Sequence, residues 1–206
     1  MTGGFTGRFW SDVNLLDSAR AYSEAEGWVD FPPLPSPTFW HCQVTVGHTV
    51  YVIGGRSEAV GGVPPIMVDS VYTISDDHQQ WVKIANLPTE ISSHACAVMG
   101  PKIYVIGGTK NRDILASVYI LDTSSPGSSW ELGPQLPAPR TGSQAFVYQN
   151  LLYLVGGAND GGAAVDVYTL ASDAQSWNVV NGPVVDEHLR RIFPAPLIDS
   201  NSMVCS

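Results

Sequence analysis

The segment Tyr104-Val105-Ile106-Gly107-Gly108 reveals the repeat of this chain, because two close copies of it occur elsewhere. The copies are Tyr51-Val52-Ile53-Gly54-Gly55 and Tyr153-Leu154-Val155-Gly156-Gly157, and a further pair, Gly3-Gly4, stands near the N-terminus. β-Branched and aromatic residues of this kind favour a buried, pleated strand. A glycine pair directly after the strand permits positive φ and a close approach of neighbouring backbone. We therefore predict one strand with a tight exit in each copy.

Further landmarks follow each glycine pair at matched distances. The second glycines are 51 residues apart from Gly4 to Gly55, 53 from Gly55 to Gly108 and 49 from Gly108 to Gly157. A second β-type segment follows each pair, at residues 13–16, 71–74, 118–121 and 167–170. A tryptophan and a proline then follow: Trp28 and Pro35, Trp81 and Pro88, Trp130 and Pro137, Trp177 and Pro183. The pattern predicts a repeating unit of four short strands in about fifty residues.

One such unit cannot bury both faces of its own sheet, so units must stack side by side with tryptophan and tyrosine between them. The constellation of glycine pair, Val-Tyr strand, tryptophan and Leu-Pro resembles the kelch repeat family over essentially the whole chain. The resemblance implies an all-β fold, a kelch-type β-propeller of four-stranded antiparallel blades. Three features depart from the family pattern. Asn14 stands where tyrosine is usual, the aspartate after the third strand is present only as Asp17 and Asp122, and the first full unit carries an insertion over 56–65.

The repeat predicts a single propeller domain over residues 1–206, with four blade equivalents. Three units cover approximately residues 38–88, 91–137 and 140–183. The fourth blade is split between residues 184–206 and 1–35, as the resemblance to ring-closing kelch propellers implies. Three assemblies fit this arithmetic: a closed four-bladed ring, two chains joined head to tail in an eight-bladed homodimer, or a fragment of a larger ring. The mass in solution distinguishes them.

Composition and charge exclude several function classes. The formal net charge of −9 argues against nucleic acid, whose binding requires clustered Lys and Arg. No stretch approaches the ~18 consecutive apolar residues of a membrane span, so no membrane association is expected. The odd number of cysteines, Cys42, Cys96 and Cys205, signals no disulfide framework and favours a cytoplasmic or nuclear location.

Few residues suggest chemistry. His41 and His94 share one register, each fourteen residues before the second glycine of its unit. Equivalent positions on neighbouring blades converge toward the axis and could hold a metal, although a hydrogen-bonded histidine at a strand start is the simpler interpretation. We predict no catalytic residue, no metal and no cofactor. The alternative is a kelch-type enzyme, either a sugar isomerase or mutarotase or a metal-dependent lyase.

Loops carry the binding hypothesis, because a rigid ring of sheets leaves its connections free to vary. The resemblance implies that residues after the glycine pairs, and residues before the first strands, line the mouth of the central channel and grip partner peptides. The predicted partner-binding residues are Arg8, Arg56, Lys110, Asn111, Arg112, Arg140, Thr141, Asn159 and Arg191. The planar guanidinium suits carboxylates. We therefore expect a non-enzymatic protein-interaction module, with scaffold or substrate-adaptor work, whose protein partner presents an acidic or polar turn.

Overall fold

The computed structural model describes residues 2–6, 14–59, 63–75, 77–125, 127–164 and 166–180. Within these segments the regular secondary structure consists of 22 β-strands, and the sheets that they form are antiparallel. None of the described segments is a helix that could span a bilayer. The prediction of an all-β chain is confirmed.

The N-terminal sheet has three described strands: β1 (Thr2–Thr6), β2 (Asn14–Ser23) and β3 (Gly27–Phe31). Gly3 in β1 has a φ of 59°, and a Cβ at this position would overlap the carbonyl oxygen of Thr38. Gly54 and Gly107 stand in the same relation to the carbonyl oxygens of Ile91 and Arg140. Gly3 therefore belongs to the repeat. Residues 184–206, the other predicted part of this blade, lie outside the described residues.

Three four-stranded sheets follow, each ordered along the chain as a meander. The first contains β5 (Cys42–Val46), β6 (Thr49–Ile53), β9 (Ser70–Ile74) and β10 (Trp81–Asn86). The second contains β11 (Ala95–Met99), β12 (Lys102–Ile106), β15 (Val118–Asp122) and β16 (Glu131–Leu132). The third contains β17 (Gln144–Tyr148), β18 (Leu151–Val155), β21 (Val167–Ala171) and β22 (Asn178–Val180). The strand before each glycine pair is the second of its sheet, which confirms the predicted strand order.

A short hairpin follows the glycine pair in each of these three units. The hairpins are β7 (Arg56–Ala59) with β8 (Val63–Met67), β13 (Thr109–Lys110) with β14 (Asp113–Ile114), and β19 (Ala158–Asn159) with β20 (Gly162–Ala163). In the first unit β4 (Thr38–Phe39) adds a third strand by pairing with β7. The insertion noted over residues 56–65 therefore lengthens a hairpin that the other two units also have.

The hydrophobic core lies between neighbouring sheets. Alternate residues of β12 face opposite neighbours, as the period of two in a strand requires. Ile103 and Val105 pack with buried residues of the first sheet, whereas Tyr104 and Ile106 pack with those of the third. All four are almost fully buried. Because β12 is buried on both faces, its sequence is a continuous apolar run rather than an alternating one.

The glycine pairs join one unit to the next. The Gly55 N–H donates to the Ile91 carbonyl at 2.8 Å, and the Gly108 N–H donates to the Arg140 carbonyl at 2.7 Å. Gly55 and Gly108 have φ of 100° and 96°, a region that side-chain-bearing residues rarely adopt. The expected need for positive φ and close backbone approach is confirmed.

The repeated tryptophans lie at or beside the outermost strand of each sheet. The Trp81 Nε1–H donates to the Pro32 carbonyl and the Trp177 Nε1–H to the Pro134 carbonyl, each at 2.8 Å, which ties each sheet to the preceding unit. Trp28 differs, since it is 54% exposed and packs against Tyr22 of the adjacent strand, with ring centroids 5.4 Å apart. The expectation that every repeated tryptophan is wedged between sheets is therefore wrong for Trp28.

Trp81→Phe is expected to lower the free energy of unfolding by about 1 kcal/mol more than Trp130→Phe. Both side chains are partly buried, but the Trp81 indole has a partner, whereas the Trp130 indole nitrogen is buried without one in the described structure. The first change leaves the Pro32 carbonyl without its donor, and the second removes an unsatisfied group. Urea unfolding of both variants measures the difference, and equal losses would contradict a role for the indole hydrogen bond.

Candidate partner-binding rim

Two sets of loops meet at one end of the sheets and are joined there by backbone hydrogen bonds. In each unit the segment before the first strand pairs with the hairpin after the glycine pair: β4 pairs with β7, Ser92 bridges Thr109, and Thr141 bridges Ala158. We call this surface the rim. It comprises residues 38–40, 56–59, 63–67, 91–93, 109–114, 140–142 and 158–163. The structure thus brings together, within each unit, the two loop sets from which the sequence-based binding residues came.

Backbone links also fix the rim from one unit to the next. The Ser93 N–H donates to the Trp40 carbonyl at 2.9 Å, and the Gly142 N–H donates to the Ser93 carbonyl at 2.8 Å. Trp40, Ser93 and Gly142 occupy equivalent positions and all have left-handed backbone, with φ of 53°, 54° and 64°. Rim side chains of successive units are therefore presented on a continuous hydrogen-bonded backbone.

The β13–β14 hairpin presents the predicted residues Lys110, Asn111 and Arg112. Asn111 forms its turn with a φ of 55°, and its backbone N–H donates to the Met67 Sδ at 3.2 Å, which holds the hairpin against β8 of the preceding unit. Asn111, Arg112 and Asp113 are exposed and Lys110 is half-buried. Two cations and one carboxylate therefore stand together at the outer surface of the rim.

Arg56 lies across an aromatic ring at the rim. Its guanidinium carbon is 5.2 Å from the centroid of the Trp40 ring, within the range of a cation–π interaction. The Arg56 Nε is buried without a hydrogen-bond partner among the described residues. The sequence-based prediction did not include Trp40. Its register was a signal, since a large aromatic residue stands where the next units have Ser93 and Gly142.

Arg140 corrects one sequence-based expectation. Its side chain is 2% exposed and cannot offer a free guanidinium to a partner. Its Nη2 donates to the Asp166 carboxylate at 2.8 Å and to the Tyr168 hydroxyl at 2.6 Å, and its Cζ lies 4.8 Å from the Tyr168 ring centroid. Arg140 shares its register with Thr38 and Ile91, which are also buried. This register position faces the protein interior rather than the surface of the rim.

The remaining predicted residues have local roles or lie outside the described part of the chain. The Thr141 hydroxyl hydrogen-bonds the Thr109 hydroxyl at 2.8 Å, across the boundary between two units. The Asn159 Oδ1 accepts the Gly161 N–H at 2.9 Å and shapes the β19–β20 turn. Both residues are half-buried at the rim. Arg8 and Arg191 lie outside the described residues.

The two histidines of matched register stand below the rim at the starts of β5 and β11. The His41 Nε2 hydrogen-bonds the Thr2 hydroxyl at 3.0 Å, whereas neither ring nitrogen of His94 has a hydrogen-bond partner among the described residues. Burial lowers the pKa of His41 to about 4, against a raising contribution from Thr2. Burial, aided by the charge of His41, likewise lowers the pKa of His94 to about 4. Both rings are therefore neutral near pH 7.

Cys42 and Cys96 form a disulfide between β5 and β11, with their Cα atoms 6.1 Å apart. This corrects the expectation that the cysteine count signals no disulfide. The two residues are 54 positions apart in the chain and differ by one position in the repeat. The first strands of neighbouring units lie side by side, so this small difference in register still leaves the two side chains within bonding reach.

Comparison with known proteins agrees with the repeat and the fold. The model of the KLHDC2/KLHL20/DRC7 Kelch-repeats domain matches residues 3–204. Kelch-like protein 23 of Homo sapiens is 28% identical over 159 residues, which cover 76% of this chain and 27% of that protein. Kelch-like protein 36 of Mus musculus is 28% identical over 120 residues, covering 58% of this chain and 20% of that protein.

A solved structure shares the architecture without close sequence similarity. The structure titled "Structure of YjhT" matches with a TM-score of 0.59 and 14% identity, covering 87% of this chain and 80% of that one. This likeness supports the fold alone. The matched part of the chain spans about a fifth to a quarter of the length of the curated relatives named above. Because the family model covers nearly the whole sequence and the sheets repeat as kelch blades do, this chain belongs to the kelch-repeat family and folds as a kelch-type β-propeller.

Proposed function

We propose that this chain is a non-enzymatic protein-interaction module that binds a peptide segment of its partner at the rim. Members of the kelch-repeat family commonly mediate protein–protein interactions, which supports the general class. The observation that carries the specific proposal is the cationic β13–β14 hairpin, in which Arg112 is exposed and Lys110 is half-buried, in a chain of net charge −9.

The chemistry of the rim favours a partner with an acidic or polar turn. Arg112 offers five N–H donors in a planar fork that fits a carboxylate. Arg56 lies over the Trp40 ring and adds a second guanidinium beside an aromatic surface. Aromatic and arginine side chains together are typical of the residues that dominate binding energy at interfaces. Asp113 partly offsets the cations, and a turn that also carries a donor group fits this mixed surface best.

The enzyme alternative is less well supported by the geometry. It would use His41 and His94, yet His94 is 6% exposed, so its ring is out of reach of a substrate at the protein surface. A general acid–base residue must come within hydrogen-bond reach of the group that it protonates or deprotonates. We therefore propose binding rather than catalysis as the work of the rim.

Selection from a displayed library of random peptides tests the proposal. The full chain is expected to enrich peptides with Asp or Glu in a turn, because carboxylates pair with the rim guanidinium groups. An enriched peptide should bind the double variant Lys110→Glu and Arg112→Glu at least about tenfold more weakly, since reversing two rim charges removes attraction and adds repulsion. Fluorescence anisotropy with the synthetic peptide measures the change.

Lys83→Glu is the matched control, because Lys83 is exposed on β10, away from the rim, and the charge change per site is the same. The affinity of Lys83→Glu for the peptide is expected to stay within about twofold of that of the unmodified chain, since salt screens the effect of a remote surface charge. Failure to enrich acidic peptides, or equal weakening by the control, would contradict rim binding.

A further inference from the structure

Three potential metal ligands converge where the first strands of two neighbouring sheets begin. The Sγ atoms of Cys42 and Cys96 and a ring nitrogen of His94 all lie within 4.8 Å of one another. Cys42 opens β5, while His94 and Cys96 flank the start of β11. The convergence comes from the fold, because the two strands belong to different repeat units.

His94 supplies an independent sign of a ligand. It is 6% exposed, and neither ring nitrogen finds a hydrogen-bond partner among the described residues. Buried polar groups in native proteins are nearly always paired, so an unpaired buried imidazole beside the Cys42–Cys96 disulfide calls for a partner. The Ile53 backbone lies near the ring but without the geometry of a hydrogen bond.

Glycines hold the His94 ring in place. A Cβ on Gly54 would lie 2.9 Å from the ring Cε1, and a Cβ on Gly108 would lie 2.8 Å from the His94 Cβ. The His94 side chain therefore occupies space that Gly54 and Gly108 leave open, Gly54 beside the ring and Gly108 beside the Cβ. This close packing holds the ring nitrogens of His94 in position before any ligand binds, as a pre-organised site requires.

We propose that the reduced chain binds a zinc ion through Cys42, Cys96 and His94. Thiolate sulfur and imidazole nitrogen are the ligands that zinc prefers, at about 2.3 and 2.0–2.1 Å, so tetrahedral ligand atoms lie roughly 3.5–4 Å apart. The three ligand atoms lie within 4.8 Å of one another. Once the S–S bond is broken, shifts of roughly 1–2 Å would bring them to these separations. Zinc normally takes four ligands, so a fourth ligand such as water would complete the set. This site differs from the sequence-based expectation of no metal, which considered the two histidines without the cysteine pair.

Oxidation and metal binding are mutually exclusive at this site. The disulfide must first gain two electrons and two protons to give two thiols. A dithiol reductant supplies both and becomes a cyclic disulfide. Zinc then displaces the two thiol protons as the thiolates coordinate. The same cysteine pair therefore either cross-links two neighbouring sheets or, with His94, holds an ion between them.

Cobalt titration of the reduced full chain tests the site, because Co²⁺ replaces Zn²⁺ and reports its ligands by colour. We expect one Co²⁺ per chain, a thiolate-to-cobalt charge-transfer band, and loss of that band when Zn²⁺ is added. Cys42→Ser and Cys96→Ser should abolish the band, while Cys205→Ser should retain it. A reduced chain without the band would overturn the proposal.

The two histidines provide a matched pair of variants. Ser143 holds the register of His94 in the third unit, so His94→Ser is compatible with this fold, as far-UV circular dichroism can verify. Loss of a residue that only supports a metal ligand typically weakens metal binding roughly 10–100-fold, and loss of a ligand should cost at least as much. We therefore expect His94→Ser to weaken Co²⁺ binding by at least this factor, whereas His41→Ser should bind Co²⁺ as tightly as the unmodified chain. Unchanged affinity in His94→Ser, or equal weakening in His41→Ser, would overturn the three-residue assignment. Chain oxidised with diamide should bind no Co²⁺, and binding by it would overturn the role of the cysteines.

Discussion

Gly107→Ala is expected to lower the free energy of unfolding by about 2–5 kcal/mol, a large part of the stability of a typical domain. Gly107 has a φ of 62°, and the left-handed region costs a side-chain-bearing residue about 1–2 kcal/mol. A Cβ there would also overlap the Arg140 carbonyl oxygen, which adds about 1–3 kcal/mol of overpacking. That carbonyl accepts the Gly108 N–H and joins two units, so the damage falls on the blade junction.

Gly100→Ala separates backbone strain from the junction. Gly100 has nearly the same φ, 61°, in the turn between β11 and β12, but nothing lies within 4 Å of the position that a Cβ would take. The free energy of unfolding of Gly100→Ala should fall only by the cost of placing a side chain in the left-handed region, about 1–2 kcal/mol. Urea unfolding curves of both variants give the comparison. Equal losses would show that the close approach at Gly107 has no energetic importance.

The repeat was predictable because the requirements of each blade junction fall on residue types with strong signals. Glycine pairs with positive φ, such as Gly107-Gly108, and apolar runs such as Ile103–Ile106 leave little freedom in the sequence. Their spacing therefore predicts the strand order of the three complete units. The hairpins after the glycine pairs were harder to foresee, since strands as short as β13 and β19 carry too few residues for a period.

Side-chain direction at the rim was much less predictable. The register places Arg140 with Thr38 and Ile91, but it does not show that the Arg140 side chain points inward. A charged residue is buried only where it has a partner, and the repeat pattern does not contain that partner. That partner, Asp166, lies 26 residues further along the chain. The cysteine pair was missed for a related reason. The odd number of cysteines gave no sign that Cys42 and Cys96 pair, whereas bond formation depends on the distance between two neighbouring strands.

The buried cation couples the rim to the sheet beneath it. The Arg140 carbonyl accepts a hydrogen bond from the Gly108 N–H of the preceding unit. Its guanidinium donates to the Asp166 carboxylate and the Tyr168 hydroxyl of its own unit. One residue thereby links the junction, the rim segment 140–142 and the start of β21. We therefore expect loss of the Arg140–Asp166 ion pair to lower the free energy of unfolding of the whole domain rather than to change peptide binding alone.

Asp166→Ala is expected to lower the free energy of unfolding by about 3 kcal/mol, near the lower end of the range for breaking a buried ion pair. Arg140 is 2% exposed, and its remaining hydrogen-bond partners among the described residues would be the Tyr168 hydroxyl and, at 3.0 Å, the Pro139 carbonyl. The lower end applies because Asp166 is 51% exposed, so water can partly replace its carboxylate. Urea unfolding measures the loss.

Asp30→Ala provides the matched control, because the Arg20–Asp30 pair is equally short at 2.7 Å but its side chains are 53% and 81% exposed. It should lose no more than about 1 kcal/mol, as surface pairs do. Adding Arg140→Met to Asp166→Ala should recover part of the lost stability, since a neutral side chain removes the unpaired charge from the interior. An Asp166→Ala loss no greater than that of Asp30→Ala, or a double variant less stable than Asp166→Ala alone, would mean that the Arg140 guanidinium does not depend on its carboxylate.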